Sequence, residues 1–210
     1  MTRQQVKLKA KEDIRGRVFA CFIPFLILGG IQLLIGYLLG ENTYAIVPIL
    51  VNIAMFPLSV GIAAIFLQVV RQKNSDIKMG KVFDFYKKTN RLGQIFLAYI
   101  VSSLYVIGGL ILFIIPGIIL AMRYSMLTFV LADYDDISWR DALYKCKQIT
   151  DGRKGEIFIY MLSFFGWGIL VAITLGILSI YVLPYYQATF ANLYTIYNPT
   201  INVIDQEFLP

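Results

Sequence analysis

The segment from Val18 to Leu39 constrains this chain most, because its 22 residues include no charged side chain and Gln32 alone interrupts its apolar character. A helix of this length crosses a hydrocarbon layer of about 30 Å. A secretory signal peptide is the rival interpretation, but its apolar core spans about 7 to 15 residues and ends at a small-residue cleavage site. Tyr37 to Glu41 offers no such site. We therefore predict a retained transmembrane helix.

The whole chain is similarly apolar. Hydrophobic residues make up 58% of the 210 residues, charged residues make up 15%, and the mean hydropathy is +0.68. A soluble globule of this size would lack polar surface to cover it. We predict an all-α membrane protein with a single integral membrane domain over residues 1–210. Its six transmembrane helices are expected at about 18–39, 44–70, 94–115, 117–132, 157–174 and 177–197.

Three polar segments precede pairs of these spans, and each has apolar residues at helical spacing. In the first segment, Val6, Ala10 and Ile14 lie four residues apart. This spacing predicts short amphipathic helices at the membrane surface, each followed by a transmembrane hairpin. In the other two segments we interpret the apolar faces as interfacial docking sites, with the candidates Phe83, Tyr86, Trp139 and Leu143.

The three predicted hairpins begin alike, with glycine, any residue, valine or isoleucine, and then phenylalanine at 16–19, 93–96 and 155–158. This layout is typical of a threefold internal repeat. Basic anchors and glycine starts that any hairpin protein needs explain the layout equally well. Both interpretations stay open.

The 19 Lys and Arg residues predict the orientation. Eighteen of them lie in the three polar segments and one lies in the fourth span. The positive-inside rule places those segments, and both termini, in the cytoplasm. Basic residues beside the spans attract anionic headgroups, each with about 1 kcal/mol near the surface. We expect a lipid bilayer with anionic headgroups as a partner and no nucleic acid, although the net charge is +6.

Catalytic chemistry has no candidates in the predicted spans. The 13 acidic residues lie in loops or at span ends, and the chain has no histidine. Cys21 and Cys146 have neither metal-ligand nor disulfide spacing, so we expect free thiols. A proton relay or an intramembrane hydrolase therefore lacks its residues. We predict no enzyme activity, no metal and no cofactor.

Arg123 is the single charged residue expected inside a span. It lies six residues, about 9 Å, past Gly117. An arginine at the centre of a membrane helix costs about 2.5 to 3.5 kcal/mol on insertion scales. One interpretation is a ligand or partner site that includes Tyr124, Ser125 and Tyr185. The other is an arginine that snorkels to the outer headgroups.

Turn and packing signals complete the pattern. Pro116 and Gly117 predict the turn between spans three and four, Leu175-Gly176 predicts the turn between spans five and six, and Pro184 predicts a kink in the last span. Small residues recur every fourth position and predict close helix packing, within one chain or between two. These residues are Gly36, Gly40, Gly117, Ala121, Ser125, Gly168, Ala172 and Gly176.

Several stretches together resemble a known family. They are Ile115–Ile119, Arg123–Met126, Leu131–Asp133, Ser138–Gly155 and Gly166–Tyr185. They resemble the bacterial integral-membrane family catalogued as domain of unknown function 975, most strongly from Ile115 to Tyr194. More loosely, they resemble the membrane domain fused to some glycerophosphodiester phosphodiesterases. The resemblance implies a six-helix protein of the bacterial plasma membrane and brings no catalytic residues.

Two functions from different classes follow. The first is a non-enzymatic interaction, accessory, immunity or stress module that docks a protein partner or a second copy through interfacial helices and helix packing. The second is a small transporter or lipid-handling protein with a polar cavity around Arg123. The lack of buried acids and of a nucleotide-binding loop favours the first. The sequence names no small-molecule or peptide substrate and no oligomeric state.

Overall fold

The computed structural model describes residues 2–39, 46–72, 80 and 89–198, which form helices and no strand. The predicted all-α class is confirmed. The second interfacial segment, including Phe83 and Tyr86, lies largely outside the described residues. The helices are α1 Arg3–Ile14, α2 Val18–Leu39, α3 Ile46–Arg71, α4 Thr89–Leu112, α5 Ile114–Tyr124, α6 Leu127–Asp133, α7 Trp139–Thr150, α8 Lys154–Ile173 and α9 Ser179–Tyr197.

Five helical stretches in the described part of the chain are long and apolar enough to cross a bilayer, as expected of a membrane protein. They are Val18–Leu38, Val51–Arg71, Asn90–Leu112, Ile114–Asp133 and Lys154–Ile173. The predicted sixth span corresponds to α9, which does not belong to this set. Six spans and the threefold repeat are therefore not confirmed.

Helix α9 is largely buried within the bundle. Its residues Tyr185, Phe190 and Tyr194 are buried, and α1, α2 and α3 pack against it. Two polar side chains of α9, Thr189 and Asn192, are buried as well. The Thr189 hydroxyl donates to the carbonyl oxygen of Tyr185 at 2.8 Å, as buried hydroxyls usually do. These polar side chains, which lower the hydropathy of α9, are thus buried against other parts of the protein.

Helix α1 packs along α9. A capping box at Thr2 and Gln5 begins the helix, and Val6, Ala10 and Ile14 are buried. The predicted amphipathic helix is therefore present, with its apolar face against α9.

The turn between α4 and α5 lies at Phe113, so the predicted turn at Pro116-Gly117 is wrong. Pro116 occupies the first turn of α5, where its missing N–H costs no helical hydrogen bond. Gly117 instead permits close helix packing, because a Cβ there would lie 2.7 Å from the backbone nitrogen of Leu110. A Cβ on Gly109 would likewise lie 3.0 Å from Cα of Gly117.

The turn between α8 and α9 lies at Leu175-Gly176, as predicted. The N–H of Gly176 donates to the oxygen of Val171 at 2.8 Å, and the N–H of Leu175 donates to Ala172 at 3.1 Å. This pair of bonds is the Schellman pattern that ends a helix. Both Leu175 and Gly176 have positive φ. Helix α9 then continues through Pro184.

Candidate functional site

Three cations recur every four residues along one side of α1: Arg3, Lys7 and Lys11. The Nζ of Lys7 donates to the hydroxyl of Ser163 on α8 at 2.6 Å. The same Nζ lies 5.2 Å from the ring centre of Phe164. These contacts bring the cationic side of α1 onto the middle of α8.

Tyr185 of α9 lies between these two helices. The Nζ of Lys11 lies 5.6 Å from the ring centre of Tyr185. The ring centre of Phe164 lies 5.2 Å from that of Tyr185, and those of Trp167 and Tyr181 lie at 6.2 and 5.8 Å. We call this arrangement the α1–α8 groove. It consists of Arg3, Lys7, Lys11, Tyr160, Ser163 and Phe164, with Tyr185 as its floor.

A cavity of about 270 Å³ opens at the Arg3 end of the groove, between α1, α8 and α9. Arg3 interacts electrostatically there with Tyr160. The carboxylate of Glu156 accepts a 2.6 Å hydrogen bond from the hydroxyl of Tyr197. The guanidinium of Arg153 lies 4.5 Å from the centre of the Tyr197 ring. The acidic residue of the cavity is thus already hydrogen-bonded within the bundle.

The two lysines bring like charges together. Burial, and then the neighbouring ammonium of Lys11, lower the pKa of Lys7 below its ordinary value. Within residues 2–39, 46–72 and 89–198, the ion pairs of the structure include neither lysine. Each ammonium has three donors, and Lys7 directs one of them to Ser163. The groove is therefore suited to a negatively charged group.

Sequence reasoning missed the lysines, although a signal was present. Lys7 follows Val6 and Lys11 follows Ala10, so both lysines flank the apolar stripe of α1. Flanking cations next to a buried stripe lie close to whatever the stripe packs against.

The predicted set of Arg123, Tyr124, Ser125 and Tyr185 does not come together. Arg123 and Tyr124 end α5, and the helix breaks at Ser125 before α6 begins. The hydroxyl of Ser125 donates to the oxygen of Met122 at 2.8 Å. The ring partners of Tyr185 belong to the groove, and no contact described for the chain joins it to Arg123.

Arg123 lies against other parts of the bundle. Its side chain interacts electrostatically with Tyr124, and its carbonyl oxygen is 3.5 Å from the hydroxyl of Thr150 on α7. The Nε atom of Arg123 is buried and has no hydrogen-bond partner among the described residues. The ring of Tyr124 stacks on Tyr105 at 6.2 Å. Arg123 thus helps to hold α7 at the break between α5 and α6.

The predicted docking residues Trp139 and Leu143 face the bundle. Ser138 caps α7 as predicted, by accepting the N–H of Asp141 at 3.2 Å. Leu143 is 8% exposed, and Trp139 packs partly against the core. The backbone N–H of Trp139 donates to the side-chain oxygen of Gln94 at 2.8 Å. Since α7 lies on α4, α5 and α6, these side chains are occupied within the chain.

A polar network joins α3, α6 and α9 at Asp133. One carboxylate oxygen accepts from Arg71 at 2.6 Å and the other accepts from Tyr194 at 2.9 Å. Arg71 and Asp133 also line a cavity of about 270 Å³ between α3 and α6. Arg91 pairs with Asp135 at 2.6 Å nearby. These contacts tie helix ends together.

The family model described as Protein of unknown function (DUF975) matches residues 101–198, from the second half of α4 to the end of α9. This match, over just under half of the chain, supports an assignment to the DUF975 family. No curated protein and no solved structure matches the chain, so the resemblance to the membrane domain of glycerophosphodiester phosphodiesterases has no support. The part of the chain that matches DUF975 includes Ser163, Phe164 and Tyr185, and α1 precedes it.

Proposed function

We propose that this DUF975 protein is a non-enzymatic multi-pass protein of the bacterial plasma membrane that acts as an interaction or accessory module. Both termini and α7 lie on the cytoplasmic side, as the distribution of basic residues predicts. Its partners contact the polar face of α7, and immunity or stress responses are roles that suit such a module.

The position of α7 supports this proposal. Its apolar face is buried, and the opposite face exposes Arg140, Tyr144, Lys147 and Gln148. Tyr144 is 60% exposed, with basic residues on either side along the helix. Exposed aromatic residues next to arginine are typical of binding surfaces. We therefore move the proposed docking face from Trp139 and Leu143 to the side of α7 around Tyr144.

Site-specific photo-crosslinking in cells tests this role. A crosslinker at Gln148 should give a discrete protein adduct, and the adduct should be lost with Tyr144→Ala. A crosslinker at Phe165, which is 67% exposed on the apolar helix α8, is the matched control and should label lipid. An adduct at Gln148 that persists unchanged in Tyr144→Ala would refute docking through this face.

The cytoplasmic placement of α7 has its own test. A membrane-impermeant amine reagent should leave Lys147 unlabelled in intact cells and label it in opened cells. Labelling of Lys147 from outside would invert the proposed orientation.

A lipid-handling protein is the second candidate function, and the α1–α8 groove is the observation in its favour. The groove replaces the predicted cavity around Arg123, because the described cavities lie elsewhere. Lysines over aromatic rings beside apolar helices suit an amphiphilic anion.

A further inference from the structure

We propose that the α1–α8 groove binds the phosphate of an anionic phospholipid. Lys7, Lys11 and Ser163 supply the donors for the phosphate, and the aromatic side chains of α8 and α9 contact the acyl chains. This inference rests on the second candidate function and does not depend on docking through α7.

The first argument is charge. Lys7 and Lys11 lie one helical turn apart and reach two neighbouring rings, Lys7 that of Phe164 and Lys11 that of Tyr185, whose centres are 5.2 Å apart. Bringing two ammonium groups together is unfavourable unless an anion lies between them. Burial first, and then the ammonium of Lys11, lower the pKa of Lys7. The aromatic faces offset part of this cost, since each cation–π contact is worth about 0.5–2 kcal/mol. A phosphate would offset more.

The second argument is depth. Ser163 lies nine residues past Lys154, roughly 14 Å along α8. The ammonium of Lys7 is therefore held beside the apolar part of a membrane helix, where an unpaired cation is costly and marks a ligand or partner. Lys11 is exposed at the same groove, so an anion can approach it from the lipid or from the membrane surface.

The third argument is the apolar surface beyond the lysines. Trp167 lies one turn from Phe164 on α8, and Tyr181 lies one turn from Tyr185 on α9. The ring centres of Trp167 and Tyr181 are 6.3 Å apart. Further along α8, Leu170 is 45% exposed. A lipid with its phosphate on the lysines would lay an acyl chain along this surface. A free phosphate would gain nothing from it, so the lipid is the better match for the whole groove.

Native mass spectrometry of the full-length protein in mild detergent tests the proposal. The protein is exchanged with phosphatidylglycerol or with phosphatidylcholine, and bound lipid is counted. We expect Lys7→Gln/Lys11→Gln to retain at least roughly tenfold less phosphatidylglycerol than the wild type, because the variant loses two basic residues that attract an anionic lipid. Lys9→Gln/Lys154→Gln removes the same charge at two lysines outside the groove, Lys154 being paired with Asp151, and should retain the wild-type level.

The remaining outcomes decide the identity of the anion. Equal retention by Lys7→Gln/Lys11→Gln, or equal binding of the two lipids, would overturn the proposal. Displacement of phosphatidylglycerol by millimolar inorganic phosphate would show that the groove binds a soluble anion, and it would overturn the proposal of a lipid ligand.

Two further variants guard against misfolding. Lys7→Arg/Lys11→Arg should keep the lipid, and Ser163→Ala should weaken its retention about threefold without unfolding the protein. Unchanged lipid retention in Ser163→Ala would show that the Ser163 hydroxyl does not bind the lipid. Crosslinking from Gln148 should be unaffected by the lysine variants, which separates this proposal from the docking role of α7.

Discussion

The hydroxyl of Tyr194 donates a 2.9 Å hydrogen bond to Asp133 and so joins the middle of the bundle to the end of α6. The same hydroxyl accepts a hydrogen bond from the side-chain amide of Asn198 at 3.0 Å. Asp133, whose side chain is only 12% exposed, also forms an ion pair with Arg71. One carboxylate therefore holds α3, α6 and α9 together.

Tyr194→Phe should lower the free energy of unfolding by about 1–3 kcal/mol, because it removes two hydrogen bonds from a buried place, one to Asp133 and one from Asn198. Tyr144→Phe is the matched control, since that hydroxyl belongs to an exposed side chain, and its effect should stay within about 0.5 kcal/mol. Thermal unfolding in detergent measures both. Equal stability of the two variants would show that the network contributes nothing.

Gly117→Ala should destabilise the α4–α5 hairpin by about 1–3 kcal/mol, because the added methyl group overlaps the backbone of Leu110. Gly108→Ala is the control on the facing helix, where a Cβ has nothing within 4 Å. The comparison of unfolding temperatures checks the prediction. A Gly117→Ala variant as stable as Gly108→Ala would mean that the two helices separate at little cost.

Leu175→Gly should stabilise the protein by about 1 kcal/mol. Leu175 has φ of 50°, in the left-handed region where a Cβ is strained and glycine is not. Its side chain is 93% exposed, so few contacts are lost. Chemical unfolding in detergent measures the change. Lower stability of the glycine variant would show that the exposed leucine contributes more through lipid than it costs in strain.

Cys146 should react slowly with thiol reagents while the protein is folded. Burial raises the pKa of its thiol above the ordinary value, so less reactive thiolate is present at pH 8 than in the unfolded chain. In a Cys21→Ala variant, we expect labelling at least tenfold slower than after unfolding, as measured by mass spectrometry. Rapid labelling under native conditions would mean that α7 detaches from α4, α5 and α6.

Local signals in the sequence predicted local structure well. The long apolar run of α2, the cap at Ser138 and the turn at Leu175-Gly176 depend on residues close in sequence, and all three are present. The turn at Pro116-Gly117 was predicted wrongly because Gly117 serves a neighbouring helix rather than its own backbone. The packing of Gly117 against Leu110 cannot be predicted from the Pro116-Gly117 dipeptide alone.

The candidate site depended on tertiary packing and was harder to predict. Periodicity shows that Leu143 belongs to an apolar face, but such a face can lie on lipid or on protein, and here it lies on protein. Arg123 stands out in sequence because it is a charge in an apolar run. Lys7 does not stand out among the basic residues of the first segment, yet it reaches Ser163, 156 positions away.

The contact between α1 and α9 has a consequence for biosynthesis. Asn192 donates a 2.8 Å hydrogen bond to Asp13, which leaves the ribosome 179 residues earlier. At about 5–20 residues per second, roughly 10 to 40 s separate the synthesis of the two partners. Helix α1 must therefore wait at the membrane surface until α9 has been made before it reaches its final position, and the groove closes only then.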